Sequence, residues 1–319
     1  MEEDLVSILI PVYNRVNLVG ETIESALIQT YKNIEVIIVD NYSTDGTWEL
    51  LQQYIRKDNR IQIFRNKENI GPVRNWLKCI DLASGQFIKI LWSDDLIEPS
   101  FISECISFID GDMAFVITGI KTIGDAKQKN QIAYSKNVYQ KLSSDKYLKE
   151  TLVFDPYKYP VSPGCALFRR KDLLENLIID VPNNDNLVSS NTGAGTDLLL
   201  FLLIAQKYSN IGIINKRLSI FRTHIDSISV SFGSKLLLAY DWARFYFIRN
   251  HYYELIPDFI CHINRIRKNS KLYSNLYSQL ETHEKFSTIN FIKYYVLYYY
   301  YRYTYEKVKN KIITYAHLK

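Results

Sequence analysis

The 319-residue chain is short of glycine and proline, with 12 and 8 residues, and holds only four cysteines and two methionines. So little Gly and Pro excludes collagen-like, Pro-rich and other low-complexity classes. Cys79, Cys105, Cys165 and Cys261 are far apart, with no C-x-x-C pair and no His at metal spacing. That excludes a zinc module and a dithiol redox motif and fits free thiols in a reducing compartment. No apolar run reaches the roughly 18 residues of a membrane span; the best runs from Leu198 to Ala205. The opening MEEDLVSILIPVYN is acidic where a signal peptide is basic, and Pro11 breaks its apolar stretch. The expectation is a cytoplasmic protein, soluble or peripheral on the inner face of the membrane. Also missing is a Gly-rich phosphate loop: Gly193-Ala194-Gly195 lacks a third glycine and follows no clear strand, and the first strand opens into Pro11-Val12-Tyr13-Asn14-Arg15. A nicotinamide enzyme, a P-loop NTPase and a sugar-phosphate nucleotidyltransferase are therefore disfavoured. A nucleotide bound here must be held by side chains and a metal.

What the chain has in excess is tyrosine, 25 residues, and basic charge, 39 Lys and Arg against 34 Asp and Glu. Residues 261–319 hold 11 Lys/Arg, 3 Asp/Glu and 11 Tyr, a net +8, which leaves residues 1–260 at −3. The overall +5 does not mark a nucleic-acid binder, and no nucleic-acid partner is expected.

The first hundred residues alternate β-branched runs with helical spacing. Val6 to Val12, Glu35 to Val39, Ile61 to Phe64 and Phe87 to Leu91 read as strands; Leu18 to Gln29, Trp48 to Ile55 and Val73 to Leu82 read as helices. Short links between them imply an α/β fold with a mainly parallel sheet flanked by helices. Ligands in such sheets sit beyond the carboxyl ends of the strands. The polar clusters there, Tyr13-Asn14-Arg15, Asp40-Asn41, Arg65-Asn66 and Asp94-Asp95, are expected to line one crevice. Further on, Ala114 to Thr118 reads as a strand and Asp197 to Gln206 as a strongly apolar helix. After about residue 233 only helical patterns remain, among them a stripe at Leu272/Tyr273, Leu276/Tyr277 and Leu280. This divides the chain into residues 1–232 and a basic, Tyr-rich helical extension, 233–319.

Two adjacent carboxylates after a buried strand, Asp94 and Asp95, suit a hard divalent cation that in turn binds a diphosphate; a solvated loop or helix cap before Glu98-Pro99 is the competing reading. Asp40 can accept from the ring N–H of uracil, thymine or guanine, which cytosine lacks.

Ser7 to Arg15 (SILIPVYNR), Glu35 to Thr47 (EVIIVDNYSTDGT), Asn69 to Asn75 (NIGPVRN) and Leu91 to Asp95 (LWSDD) stand in an order and spacing that resemble a family 2 glycosyltransferase of the GT-A fold, of the kind that builds bacterial surface polysaccharides such as O-antigen and capsule. The resemblance covers roughly residues 5–230. It implies that Pro11, Tyr13 and Arg15 border the nucleotide of a nucleotide-sugar donor, with Tyr13 on the base. It further implies that Asp40 bonds the base, that Arg74 approaches the nucleotide or donor sugar, and that Asp94, followed by Asp95, is the metal-binding acid of a D-x-D motif. Trp92 stands where the first acid of that motif belongs, so a Mg2+ or Mn2+ ion is left to Asp94, the diphosphate and His224 of Ser219 to His224 (SIFRTH). Gly195-Thr196-Asp197-Leu198 resembles the family's acidic helix start, with Thr196 for the Glu and Asp197 as the catalytic base; an Asp stabilised by the helix dipole is the plainer alternative. Pro163 to Arg170 resembles the segment before the acceptor site, where Gly164 either admits a sugar or only shapes a turn.

The implied reaction is inverting transfer from a nucleoside-diphosphate sugar, UDP favoured, to a saccharide acceptor. Interleaved Tyr and Lys/Arg in Tyr294 to Tyr305, then Lys307, Lys309 and Lys311, suit a membrane surface and hence a lipid-linked acceptor; packing on the body or an oligomer interface is the rival use. The alternative is a non-catalytic sugar-binding or scaffold member of the fold, supported only by Trp92 and Thr196 and opposed by the retention of Asp40, Asp94 and Asp197.

Overall fold

A computed structural model of the chain describes residues 4–124, 138–224, 233–267 and 271–283. Among the described residues nine strands form one sheet: β1 (Val6–Val12), β2 (Ile34–Asp40), β3 (Ile61–Arg65), β4 (Phe87–Ile90), β5 (Leu96–Ile97), β6 (Met113–Gly124), β7 (Tyr139–Ser143), β8 (Ala166–Arg169) and β9 (Asn210–Thr223). The helices of the first part are α1 (Val19–Leu27), α2 (Thr47–Tyr54), α3 (Pro72–Leu82), α4 (Phe101–Phe108), α5 (Ser144–Lys149), α6 (Arg170–Asn176) and α7 (Thr196–Ala205).

The strand order is β3-β2-β1-β4-β8-β6-β9-β5, with β7 also paired to β9. The first four strands are parallel, with Val6 opposite Ile34 and Phe87, and Val36 opposite Ile61. Beyond β4 the sheet becomes mixed, since β8 runs antiparallel to both β4 and β6. Every residue of β1 and of β2 is buried, as central parallel strands covered on both faces require. Pro11 is tolerated inside β1 opposite Val39, buried in the ladder.

Gly71, at φ +82°, and Pro72 open α3, the proline supplying a helical φ where its missing N–H costs nothing. Helix α7 is apolar around its whole circumference and is buried on all sides except at Asp197. It is a core helix, in accord with its sequence.

Two compact units are distinguished, one ending at Phe247 and one starting at Ile248. Residues 234–247, which composition groups with the extension, therefore belong to the first. In the second, Phe259, Ile263, Tyr273, Leu276 and Leu280 are buried, so Tyr273, Leu276 and Leu280 of the tyrosine-bearing stripe are core, while Leu272 is half-buried. No helix among the described residues is long and apolar enough to cross a membrane. Tyr294 to Tyr305 and the lysines after them lie outside the described residues.

Candidate active site

The four strand-end clusters meet through direct contacts. Asn14 N–H donates to Ser43 Oγ at 2.9 Å and Thr44 N–H to Asn14 Oδ1 at 2.9 Å, which ties the end of β1 to that of β2. Asp40 has no exposed surface; its Oδ2 lies 3.1 Å from Arg65 Nε, and the Ser43 N–H donates to the carboxylate. Burial raises the Asp40 pKa, opposed by the Ser43 bonds and the Arg65 charge. Arg65 also lies over the Tyr42 and Trp48 rings. Asp40 thus sits beneath the crevice as the anchor of Arg65, while Tyr13 and Tyr42, 43% and 46% exposed, are the aromatic surfaces beside it.

A network of amides holds the loop before α3. Asn41 Nδ2 donates to Asn69 Oδ1 at 2.8 Å, Asn66 Nδ2 to Asn41 Oδ1 and Asn75 Oδ1 at 2.9 Å each, and Ile70 N–H to Asn41 Oδ1 at 3.0 Å. The first turn of α3 that follows carries Arg74, which is exposed and 3.9 Å from Asp180.

At the end of β4, Asp94 and Asp95 take opposite directions. Asp94 Oδ2 is 2.8 Å from His224 Nε2 and 3.7 Å from Arg15 Nε. Asp95 turns inward, 6% exposed; its carboxylate accepts the Arg222 N–H at 2.9 Å, and burial with the Asp94 charge pushes its pKa well up. Asp95, expected among the strand-end residues that line the crevice and bind the donor, turns away from it; it secures β9, so that His224 two residues on meets Asp94. Arg222 adds bonds to the Asp94 carbonyl, Leu18 O, Thr22 Oγ1 and Glu21. Arg222 and Arg65 have roles that sequence pattern alone does not reveal, because their partners lie on other strands and helices.

Trp92, in place of an acid, donates from Nε1 to Ser162 Oγ at 2.9 Å and packs on Trp76 with ring centroids 4.8 Å apart. A Cβ on Gly164 would stand 2.6 Å from the Trp92 indole nitrogen. The space before Gly164 is thus filled by Trp92, and the glycine serves that packing rather than the approach of a sugar. Trp76 is in turn pressed against Gly193, whose added Cβ would lie 2.1 Å from the ring. Two indoles therefore link the Asp94 corner to the loop that carries Asp197.

Asp197, in the first turn of α7, accepts the Gly195 and Leu198 N–H groups on Oδ1 at 3.0 and 2.8 Å and the Tyr240 hydroxyl on Oδ2 at 2.9 Å. Burial pushes its pKa up to about 7 against the opposing pull of those bonds. A carboxyl poised there can take a proton near neutral pH.

Asp94 Oδ2 and His224 Nε2, one hard oxygen and one imidazole nitrogen, lie 2.8 Å apart on side chains that are each partly exposed. Among the described residues no group of three or more His, Cys, Asp or Glu could hold a metal. Two protein donors fit a Mg2+ or Mn2+ ion of the kind that completes its shell with substrate phosphate and water.

A family model described as Glycosyl transferase family 2 matches residues 7–177. An uncharacterized glycosyltransferase of Rickettsia felis is 34% identical over 221 residues, 69% of this chain and 33% of that protein. The chain thus spans about a third of that relative's length. The E. coli UDP-Glc:alpha-D-GlcNAc-diphosphoundecaprenol beta-1,3-glucosyltransferase WfaP is 40% identical over 112 residues, 35% of this chain and 44% of that one. The crystal structure of S. aureus TarS 1-349 in complex with UDP-GlcNAc superposes with a TM-score of 0.64 at 18% identity, covering 86% of this chain and 77% of that one. This last likeness bears out the expected α/β GT-A-type fold. The motifs read at the strand ends and the match over more than half of the chain agree: this protein belongs to glycosyl transferase family 2.

Proposed function

We propose that this chain is an inverting glycosyltransferase that moves a sugar from a nucleoside-diphosphate sugar, UDP favoured, to a lipid-linked saccharide in cell-surface polysaccharide assembly. The observation that carries the reading is the convergence of Asp94, His224 and Arg15 beyond the carboxyl end of β4. Carboxylate, imidazole and guanidinium together suit a diphosphate and its counter-ion. The donor named in the TarS complex and the UDP-glucose and diphosphoundecaprenol in the name of WfaP support the donor and acceptor classes.

In this reading Tyr13 packs on the base, Arg65 and the buried Asp40 shape the base end, and Arg15 and Arg74 meet the phosphates or donor sugar. A divalent ion held by Asp94 and His224 would neutralise charge on the leaving diphosphate. Asp197 takes the acceptor hydroxyl proton as the new glycosidic bond forms and the bond from the anomeric carbon to the diphosphate oxygen breaks. The two bonds change in one displacement, so the anomeric configuration inverts. Asp95 and Gly164 act through Arg222 and Trp92.

The test is a panel of UDP-, dTDP- and GDP-sugars with the purified full chain, scored for nucleotide release with and without Mn2+ and Mg2+. Turnover of at least one donor that chelation abolishes is expected; binding without turnover of any donor would favour a scaffold role. The membrane part of the proposal rests on the basic, Tyr-rich residues 284–319, and is tested by co-sedimentation with phosphatidylglycerol vesicles. Replacing Lys307→Ser, Lys309→Ser and Lys311→Ser together should weaken that binding, and undiminished binding would set the membrane role of those lysines aside.

A further inference from the structure

The helix Ser234–His251 starts beyond the residues matched by the family model, yet its first half is built into the surroundings of Asp197. Besides the Tyr240 contact, Trp242 Nε1 donates to Asp185 Oδ2 at 2.6 Å. The buried Arg244 donates to the carbonyls of Thr151 and Pro156 at 3.1 and 3.0 Å and pairs with Asp241 at 2.9 Å. The loop at Asp185 and the segment 151–156 are thereby pinned to one helix.

Gly195, just before α7, has φ +86°, and a Cβ there would stand 2.8 Å from the Ala239 carbonyl oxygen. Only a glycine allows the helix backbone to approach that closely. The approach delivers the next side chain, Tyr240, to Asp197.

The two carboxylate oxygens then have different occupations. Oδ1 is committed to two backbone N–H groups of its own helix start, and Oδ2 to a single side-chain hydroxyl. Oδ2 is the oxygen with capacity left to receive a proton.

We infer that Tyr240 is the positioning residue of the Asp197 base: its hydroxyl fixes Oδ2 in orientation and stabilises the ionised carboxylate, so that this helix completes the catalytic constellation. The inference rests on the reading of Asp197 as base. The groups acting on Asp197 are the Gly195 and Leu198 amides, its own amide and the Tyr240 hydroxyl; Arg244 acts electrostatically on Tyr240. Burial and the Asp197 charge hold the phenol well above its ordinary pKa, so it stays a donor at neutral pH.

A hydrogen bond to the ionised form lowers a carboxyl pKa, and its loss raises it. The test is a carbon-13 titration of the full-length protein labelled at the aspartate carboxyls, the Asp197 signal being the one absent from Asp197→Asn. In Tyr240→Phe the Asp197 midpoint should rise by about one pH unit. An unchanged or lower midpoint in a folded Tyr240→Phe overturns the inference, because a merely structural tyrosine would not tune this proton. Should that variant not fold, 3-fluorotyrosine at position 240, a stronger donor of nearly equal size, should lower the midpoint, and no movement overturns the inference. Nucleotide release by Asp197→Asn judges the base reading separately. A shifted midpoint with an active Asp197→Asn defeats the base alone, whereas an unshifted midpoint with an inactive Asp197→Asn defeats Tyr240 alone.

Discussion

His224 Nε2 lies 2.8 Å from Asp94 Oδ2 although 130 residues separate the two in sequence. The contact exists because Leu96 and Ile97 of β5 pair with Ile220 and Ser219 of β9, and because Asp95 and Arg222 lock the two turns together. The acid and the histidine are presented to the crevice from different strands of the same sheet.

If this pair holds the divalent ion, removing either member should raise the metal concentration needed for half-maximal turnover. Asp94→Asn is expected to lower turnover by about 100-fold or more and His224→Ala by about tenfold, on the scale of losing a first ligand or a single supporting group. Both side chains are partly exposed, so thermal melting should move little. Metal titrations of nucleotide release, read beside melting curves, check this.

Asp197→Asn should lose about 10²- to 10⁴-fold in transfer, the range of general-base assistance. Donor binding, followed by calorimetry, should survive, because the amide keeps the size of the side chain and the crevice at the ends of β1, β2 and β4 is untouched. Near-normal transfer would remove Asp197 from the mechanism.

The elevated Asp197 pKa predicts an acid limb in the pH profile. Transfer should rise tenfold per pH unit below about 7 and level off above it, since only the ionised carboxyl accepts a proton. Stability should run the other way. A carboxyl whose folded pKa exceeds its unfolded value of 3.8 stabilises the fold fully below that value and loses this contribution as pH rises through about 7. Opposite slopes of rate and melting temperature between pH 4 and 7, the second abolished in Asp197→Asn, would establish the assignment.

Arg65→Met would leave the Asp40 carboxylate buried with its Ser43 hydrogen bonds but no counter-charge beside it. Breaking such a pair costs about 3 kcal/mol, visible as a lower midpoint in urea. Asp40→Asn combined with Arg65→Met should recover part of that loss, because the uncompensated charge is gone. Equal losses in the single and double variants would mean that the ion pair is not what Arg65 contributes.

Most of the nucleotide-facing half was legible in the residues. The strands at Val6–Val12 and Ile61–Arg65 and the helix Pro72–Leu82 fall within a residue of their expected places, since a run rich in β-branched residues and a Gly-Pro helix start are local signals. The crevice was legible for the same reason: parallel topology puts the carboxyl ends of the strands on one edge, and Asp40–Arg65, Asn41–Asn66 and Arg15–Asp94 meet there.

Which residue types stand at the strand ends, and so the family and the class of chemistry, can be read along the chain, because periodicity and motif order are properties of the chain. How neighbouring positions divide their work follows from contacts made in the folded protein. Asp94 faces the crevice and Asp95 the core, Gly164 meets Trp92, and Tyr240 reaches Asp197 across 43 residues. Burial and hydrogen-bond partners are set by elements distant in sequence, and they determine whether a carboxylate binds, braces or takes a proton.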